Sequence, residues 1–170
     1  MATPASKSDL IPSGSWSLWY HSPNETKWTK STYKCIASVK TWTEFWTLID
    51  SLGDDVLLNG FFFFMQDPIQ PLWEDKHNIH GGAYSMRISA RDSADLFLKY
   101  IIGAMLGQIT TSSENRITGI NISPKRGFNV INIWNQTAKT YNKREDIVPL
   151  SRVIGADEIR FTPHTDRNFR

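Results

Sequence analysis

The chain has a single cysteine, Cys35, in 170 residues. A lone thiol builds no disulfide framework, which excludes the stapled secreted folds and points to a reducing compartment. With no partner for it in the sequence, Cys35 is expected to be an inert thiol inside a strand. No apolar run approaches the about 20 residues that a membrane helix needs, so no membrane span is expected. The opening Met1–Ser15 lacks a hydrophobic core segment and is not a secretory signal. Its Pro4, Pro12 and Gly14 read as a flexible tail (1–15) ahead of one domain over 16–170. Catalytic punctuation is also missing: there is no Gly-rich phosphate loop, nucleophile elbow or paired-Cys site. His77 and His80 stand three apart in a loop, not at the i, i+4 spacing of a helical zinc motif, so with Glu74 and Asp75 they make a poor metal or acid–base cluster. Neither an enzyme nor a resident metal or cofactor is expected. An excess of one charge is lacking too. The net charge of +2 permits a polyanionic partner without requiring one.

Aromatics are plentiful, with seven Trp and nine Phe. Burial is the ordinary fate of such side chains, so position must separate core Trp from working Trp. Pro71-Leu72-Trp73-Glu74-Asp75 sets an indole beside a carboxylate, just ahead of a polar run closed by Gly81-Gly82, which reads as a loop. A Trp at a loop edge can stack its face on a flat, cationic base. The adjacent acid can accept hydrogen bonds from that base's N–H edge.

Along the chain, Trp16–Tyr20 and Tyr33–Val39 show the period of strands. Trp42, Phe45, Trp46, Ile49 and Leu52 recur at three and four, predicting a helix over Thr41–Leu52, with Thr41 and Glu44 as a capping box and Gly53 as its stop. Leu57–Met65, with Phe61 to Phe64 consecutive, predicts a strand whose phenylalanines fill both faces. Ala83–Ala90 predicts the next strand. Asp92–Gly107 predicts a helix capped by Asp92 or Ser93 that packs Leu96, Tyr100, Ile101 and Met105. Arg116–Ser123 and Phe128–Trp134 flank Pro124-Lys125-Arg126-Gly127, a hairpin with a basic tip. Lys143–Ile154 predicts a short third helix despite Pro149, and Glu158–Thr162 a last strand. Hairpins alternating with helices imply an α+β fold, an antiparallel sheet with helices gathered on one face.

These residues together resemble the cap-binding translation initiation factor 4E family. The resemblance rests on Trp16-x-x-Trp19, Trp28, Glu44-Phe45-Trp46, Asp67 to Asp75, Gly81-Gly82, Leu106-Gly107 and Ile131-Asn-Ile-Trp134. It implies a curved antiparallel sheet with about three helices on its convex face and a slot for the mRNA cap on its concave side. It further implies that Trp28 and Trp73 sandwich the cationic 7-methylguanine, that Glu74 grips its N1 and N2 donors, and that Trp134 touches the N7 methyl group. Trp46, with Trp42 a turn before it, would lie on the convex face and meet a scaffold-type initiation factor or a small binding protein. Aligned on Leu106-Gly107, Lys99, Tyr100 and Gly103 join Leu106 in that partner groove, where apolar and acidic residues are usual. Recruitment of the ordinary scaffold is therefore in question, and the alternative is a cap-binding repressor or mRNA carrier. The phosphate site departs as well: Ser123 and Ala83 stand where the family has Arg, and Val130 where it has a basic residue. Lys125 and Arg126 at the hairpin tip are expected to replace those cations. His164 and Arg167 in the tail are candidates for the second nucleotide. By the same resemblance the chain is expected to be a monomer outside its complexes, cytoplasmic, with the nucleus as a second compartment.

Overall fold

The computed structural model describes residues 7–150 and 158–165. Seven strands form one antiparallel sheet: β1 (Trp16–His21), β2 (Tyr33–Val39), β3 (Phe61–Gln66), β4 (Gly82–Ser89), β5 (Ile117–Pro124), β6 (Phe128–Asn135) and β7 (Arg160–Pro163), in the spatial order β2-β1-β3-β5-β6-β4-β7. Among the described residues there are three α-helices, α1 (Trp42–Leu52), the one-turn α2 (Asp54–Leu57) and α3 (Ala90–Met105). None is long and apolar enough to cross a membrane.

Strand alternation sends successive side chains to opposite faces, and the Phe61–Phe64 run shows the result. Phe62 and Phe64 join Tyr84, Met86, Ile120, Ile122, Ile131 and Ile133 in the main core beneath the helices. Phe63 and Met65 turn to the other face and join Ile69, Ala83 and Trp134 in a smaller cluster. The expected strand start at Leu57 is too early. Asp54–Leu57 take a helical turn, and the strand begins at Phe61.

Helix α1 follows its sequence signals. Thr41 accepts from Glu44 N at 3.1 Å, Glu44 accepts from Thr41 N at 3.2 Å, and the Gly53 N–H closes the far end on Ile49 O. Phe45 is the residue α1 buries fully, while Trp46 stays 43% exposed. Helix α3 starts two residues earlier than expected. Its cap is Ser89, not Asp92 or Ser93: Ser89 Oγ accepts from Asp92 N, and Ser93 is buried. The last residue of β4 therefore doubles as the cap, and no loop separates strand from helix. Leu96, Tyr100, Ile101 and Met105 are all buried, as the period of the sequence predicts.

Three further expectations are corrected. The third helix is absent among the described residues of Lys143–Ile154: Arg144–Asp146 form a single 3-10 turn, Ile147 bridges Thr110, and Val148 N donates to Ile109 O. Those pairings use the backbone groups a helix would need, and Pro149 brings no N–H; residues 151–154 lie outside the described part. Residues 7–15 are not a loose tail, because Leu10 bridges Thr41, Ile11 is buried and Asp9 accepts from Thr43 N and Oγ1. Cys35 is exposed rather than internal, since β2 is an edge strand with mostly open side chains. Gly81 and Gly82 mark a close approach. A Cβ on Gly81 would strike the Asn135 carbonyl, and one on Gly82 would strike the Phe161 ring.

Candidate functional site

On the face of the sheet away from the helices lies a cleft of about 340 Å³ lined by Trp28, Tyr33, Phe63, Pro71, Trp73, Asn121, Ser123, Asn132 and Trp134. Three of the seven tryptophans thus meet in one place, and they are the three the sequence singled out as ligand contacts.

Trp28 forms one wall and is 47% exposed. Its inner face lies flat on the His21 ring, with centroids 3.8 Å apart and planes 4° from parallel. His21 ends β1 fully buried, and its ring nitrogens face the carbonyl oxygens of Ser22 and Lys27 at 3.0 and 2.8 Å. Edge contacts from Phe61 to Trp28 (5.1 Å) and from Tyr33 to His21 (5.0 Å) complete the backing. An exposed indole held on one face and open on the other is a stacking platform.

Trp73 comes from the loop between β3 and β4, residues 67–81. Ile69 anchors that loop in the cleft-side cluster. Asn78, fully buried, donates to the carbonyls of Gln70 (3.1 Å) and Leu72 (2.8 Å). Asp75 accepts from the N–H groups of Gln70 (3.2 Å) and His77 (2.9 Å) and sits 3.0 Å from His77 Nδ1. Partial burial alone would raise the Asp75 carboxyl, but the hydrogen bonds from His77 and Gln70 outweigh it and hold it below the usual carboxylate range. The second acid of the Trp-Glu-Asp run is therefore the loop's internal tie, which leaves Glu74 as the free one. Glu74 is exposed at the turn beside Trp73 and does not itself line the cleft.

Trp134 is 5% exposed and lies on the sheet, its Nε1 donating to Asn121 Oδ1 at 2.7 Å and its ring meeting the edge of Phe63. His164 is not on an open tail. It is fully buried with its ring 4.7 Å from Trp134, and its backbone N–H donates to Gly81 O. It backs Trp134 and offers no surface to a second nucleotide. Arg167 lies outside the described residues. Lys125 and Arg126 are exposed at the hairpin tip, and Lys125 Nζ stands 5.8 Å from the Phe61 ring, on the Trp28 side of the cleft.

The far, helical face carries the expected partner residues unevenly. Trp46 and Leu106 (39%) are exposed, Trp42 is half-buried, and Lys99 is exposed and paired with Asp95 at 2.7 Å. Tyr100 and Gly103 are not part of an open groove. Tyr100 Oη donates to Val148 O at 3.2 Å and accepts from Leu150 N at 3.4 Å, and Gly103 is packed under Ile109. The segment after the 3-10 turn covers them, and burial raises the Tyr100 phenol above its ordinary range.

His21, Tyr33, Phe63 and Asn132 belong to the site and were not picked out by the sequence. Strand alternation from Trp19 to His21 and from Phe61 to Phe63 was the available signal. It needed the strand order before it could say which face was which.

Fold and cleft together define a class: an α+β domain whose single sheet carries helices on one face and a tryptophan-walled ligand slot on the other. The model of the family described as eukaryotic initiation factor 4E matches residues 13–169, and the chain belongs to that family. Eukaryotic translation initiation factor 4E of Saccharomyces cerevisiae is 26% identical over 172 residues, covering 91% of this chain and 76% of that protein. The Dictyostelium discoideum factor of the same name is also 26% identical, covering 89% and 63%. Among solved structures, C. elegans eIF4E-3 in complex with the 4E-binding protein Mextli and a cap analog aligns with a TM-score of 0.75 at 19% identity, over 95% of both chains. Ascaris suum eIF4E-3 with an m2,2,7G cap aligns with a TM-score of 0.64 at 21% identity, over 76% of this chain and 73% of that one.

Proposed function

We propose that this chain binds the 7-methylguanosine 5′ cap of mRNA for translation initiation, as a non-enzymatic factor working in the cytoplasm, with the nucleus as a second compartment. The observation that carries this reading is Trp28: a half-exposed indole, clamped flat on His21, facing a cleft that Trp73 and Trp134 also line. The methylated base is cationic and flat. Between Trp28 and Trp73 each of its faces meets a ring's negative quadrupole, a contact worth about 1–3 kcal/mol per ring. Glu74 swings in from its exposed turn to accept from the guanine N1 and N2 groups, and charge on both partners strengthens those bonds. Trp134 meets the N7 methyl group. Lys125 and Arg126 reach the phosphates from the hairpin tip. The test is a tryptophan fluorescence titration with 7-methyl-GTP and GTP. Stacking predicts strong quenching by the methylated nucleotide and far weaker binding of GTP. Equal binding of the two would overturn the reading.

A second reading, a cap-binding repressor or mRNA carrier that does not recruit the usual scaffold, is favoured by the closure of Tyr100 and Gly103 under residues 148–150. Affinity capture on the intact chain discriminates the two. A large scaffold recovered with a helicase supports initiation, and a small inhibitor alone supports repression. In either reading the partner meets the exposed Trp46 and Leu106, and the chain is a monomer outside its complexes.

A further inference from the structure

The phosphates of a bound cap need more than two flexible cations at a loop tip, because the cleft itself is lined only by neutral and aromatic residues. The register of the sheet shows where other cations stand. On β4, Tyr84, Met86 and Ile88 point into the helix-side core, while Ala83 belongs to the cleft-side cluster. Alternation therefore puts Ser85 and Arg87 on the cleft side with Ala83. On β7, Phe161 packs on the helix-side core and against Tyr84, so Arg160 also faces the cleft side. One row across the sheet pairs Asn121 with Asn132, Asn132 with Ser85, and Ser85 with Arg160. The adjacent row pairs Ser123 with Val130 and Val130 with Arg87. Asn121, Asn132 and Ser123 line the cleft. Each row thus starts in the cleft and ends at an arginine, the second two strand spacings or roughly 10 Å from Ser123 and the first three spacings or roughly 14 Å from Asn121.

Both arginines are exposed, and among the described residues neither makes an ion pair. Arg87 is also held in place, its guanidinium 3.9 Å over the Phe128 ring. Phe128 O in turn accepts from Lys125 N at 2.8 Å, which sets Arg87 beside the basic hairpin tip. We propose that Arg87 and Arg160 extend the cap cleft into a phosphate path over β6, β4 and β7, and that the path holds the 5′ phosphates and first backbone phosphate of the RNA leaving the cleft. The proposal rests on the cap reading for the direction in which the ligand leaves. Arginine suits the role because its planar fork grips phosphate bidentately and keeps its charge. In the first row the Asn132 amide, whose oxygen accepts from Ser85 Oγ, has its N–H groups to offer the RNA without further charge.

The test uses the full chain and an R87Q/R160Q double variant, with R87K/R160K as the charge-retaining control. Three probes are titrated by fluorescence over a salt series: 7-methylguanosine nucleoside, a short 7-methyl-capped RNA, and the same RNA with an uncapped 5′ triphosphate. Each cation lost from a single-strand contact flattens the plot of log affinity against log salt by about 0.7. The double variant should therefore show a slope flatter by about 1.4 for both RNAs, unchanged nucleoside binding, and recovery of the slope in the lysine control. An unchanged slope, or nucleoside binding that falls as far as RNA binding, would overturn the path. A wild-type chain that binds both RNAs alike, with a slope that still flattens in the double variant, overturns base stacking and supports the path.

Discussion

The two faces of the sheet are built from the same strands and differ in almost every physical respect. The helix-side face is mainly hydrocarbon and aromatic packing, with Phe64, Tyr84 and Ile133 of the strands and Phe45 and Phe97 of the helices above them at or near zero exposure. The cleft-side face alternates with it residue by residue, yet carries Asn121, Ser123, Asn132 and three tryptophans around a cavity. Its cover is two loops, one carrying Trp28 and the other, carrying Trp73, tied by Asn78 and Asp75, instead of a helix. The lesson is that the packed core and the candidate site are assigned to opposite parities of the same chain segments. Phe62 and Phe64 hold the fold, while Phe63, between them, supports the slot.

That separation can be broken or sharpened by substitution. Phe64→Ala should cost the most, about 3–5 kcal/mol of folding stability by cavity formation, read as a large drop in the thermal midpoint. Trp28→Ala should do the reverse. It should lose about 1–3 kcal/mol of 7-methyl-GTP affinity while the thermal midpoint barely moves, because the ring is already half in water. If Trp28→Ala instead unfolded the protein, the division between faces would fail.

Asp75 lies between these extremes. Its carboxyl is held below the ordinary range in the folded chain, so its contribution is present above the unfolded value and is lost as pH falls through the lowered one. Asp75→Asn should cost about 1 kcal/mol, loosen the loop that carries Trp73, and remove that part of the acid sensitivity. Hydrogen exchange of the 67–81 amides would show it. The smallest effect belongs to Lys125→Ala with Arg126→Ala, under about 1 kcal/mol per exposed cation. It should be seen with 7-methyl-GTP and not with the nucleoside, and equal triphosphate binding before and after would remove the tip from the site.

Much of this was legible in the chain because it is local. The Thr41–Glu44 box, the Gly53 stop, the two-faced Phe run and the basic hairpin tip each depend on neighbours within a few residues. The convergence of Trp28, Trp73 and Trp134 was legible through resemblance, since no short-range pattern joins positions so far apart. What could not be read depends on remote segments folding back. The period of α3 put Tyr100 on its packed face, the resemblance put it in the partner groove, and residues 148–150 lying over it decide for the first. His164 looked like tail until it packed on Trp134. Cys35 looked internal because its strand's place at the sheet edge is fixed by the order of all seven strands. The arginines of the two sheet rows were hidden for the same reason, being adjacent to the cleft only across strand pairings.

The central claim is most directly tested by a crystal structure of the chain with 7-methyl-GTP. The account predicts the methylated base lying parallel between the indoles of Trp28 and Trp73, about 3.5–4.0 Å from each, with Glu74 turned onto its N–H edge. A base bound elsewhere, or a Trp73 ring facing away from it, would contradict the account.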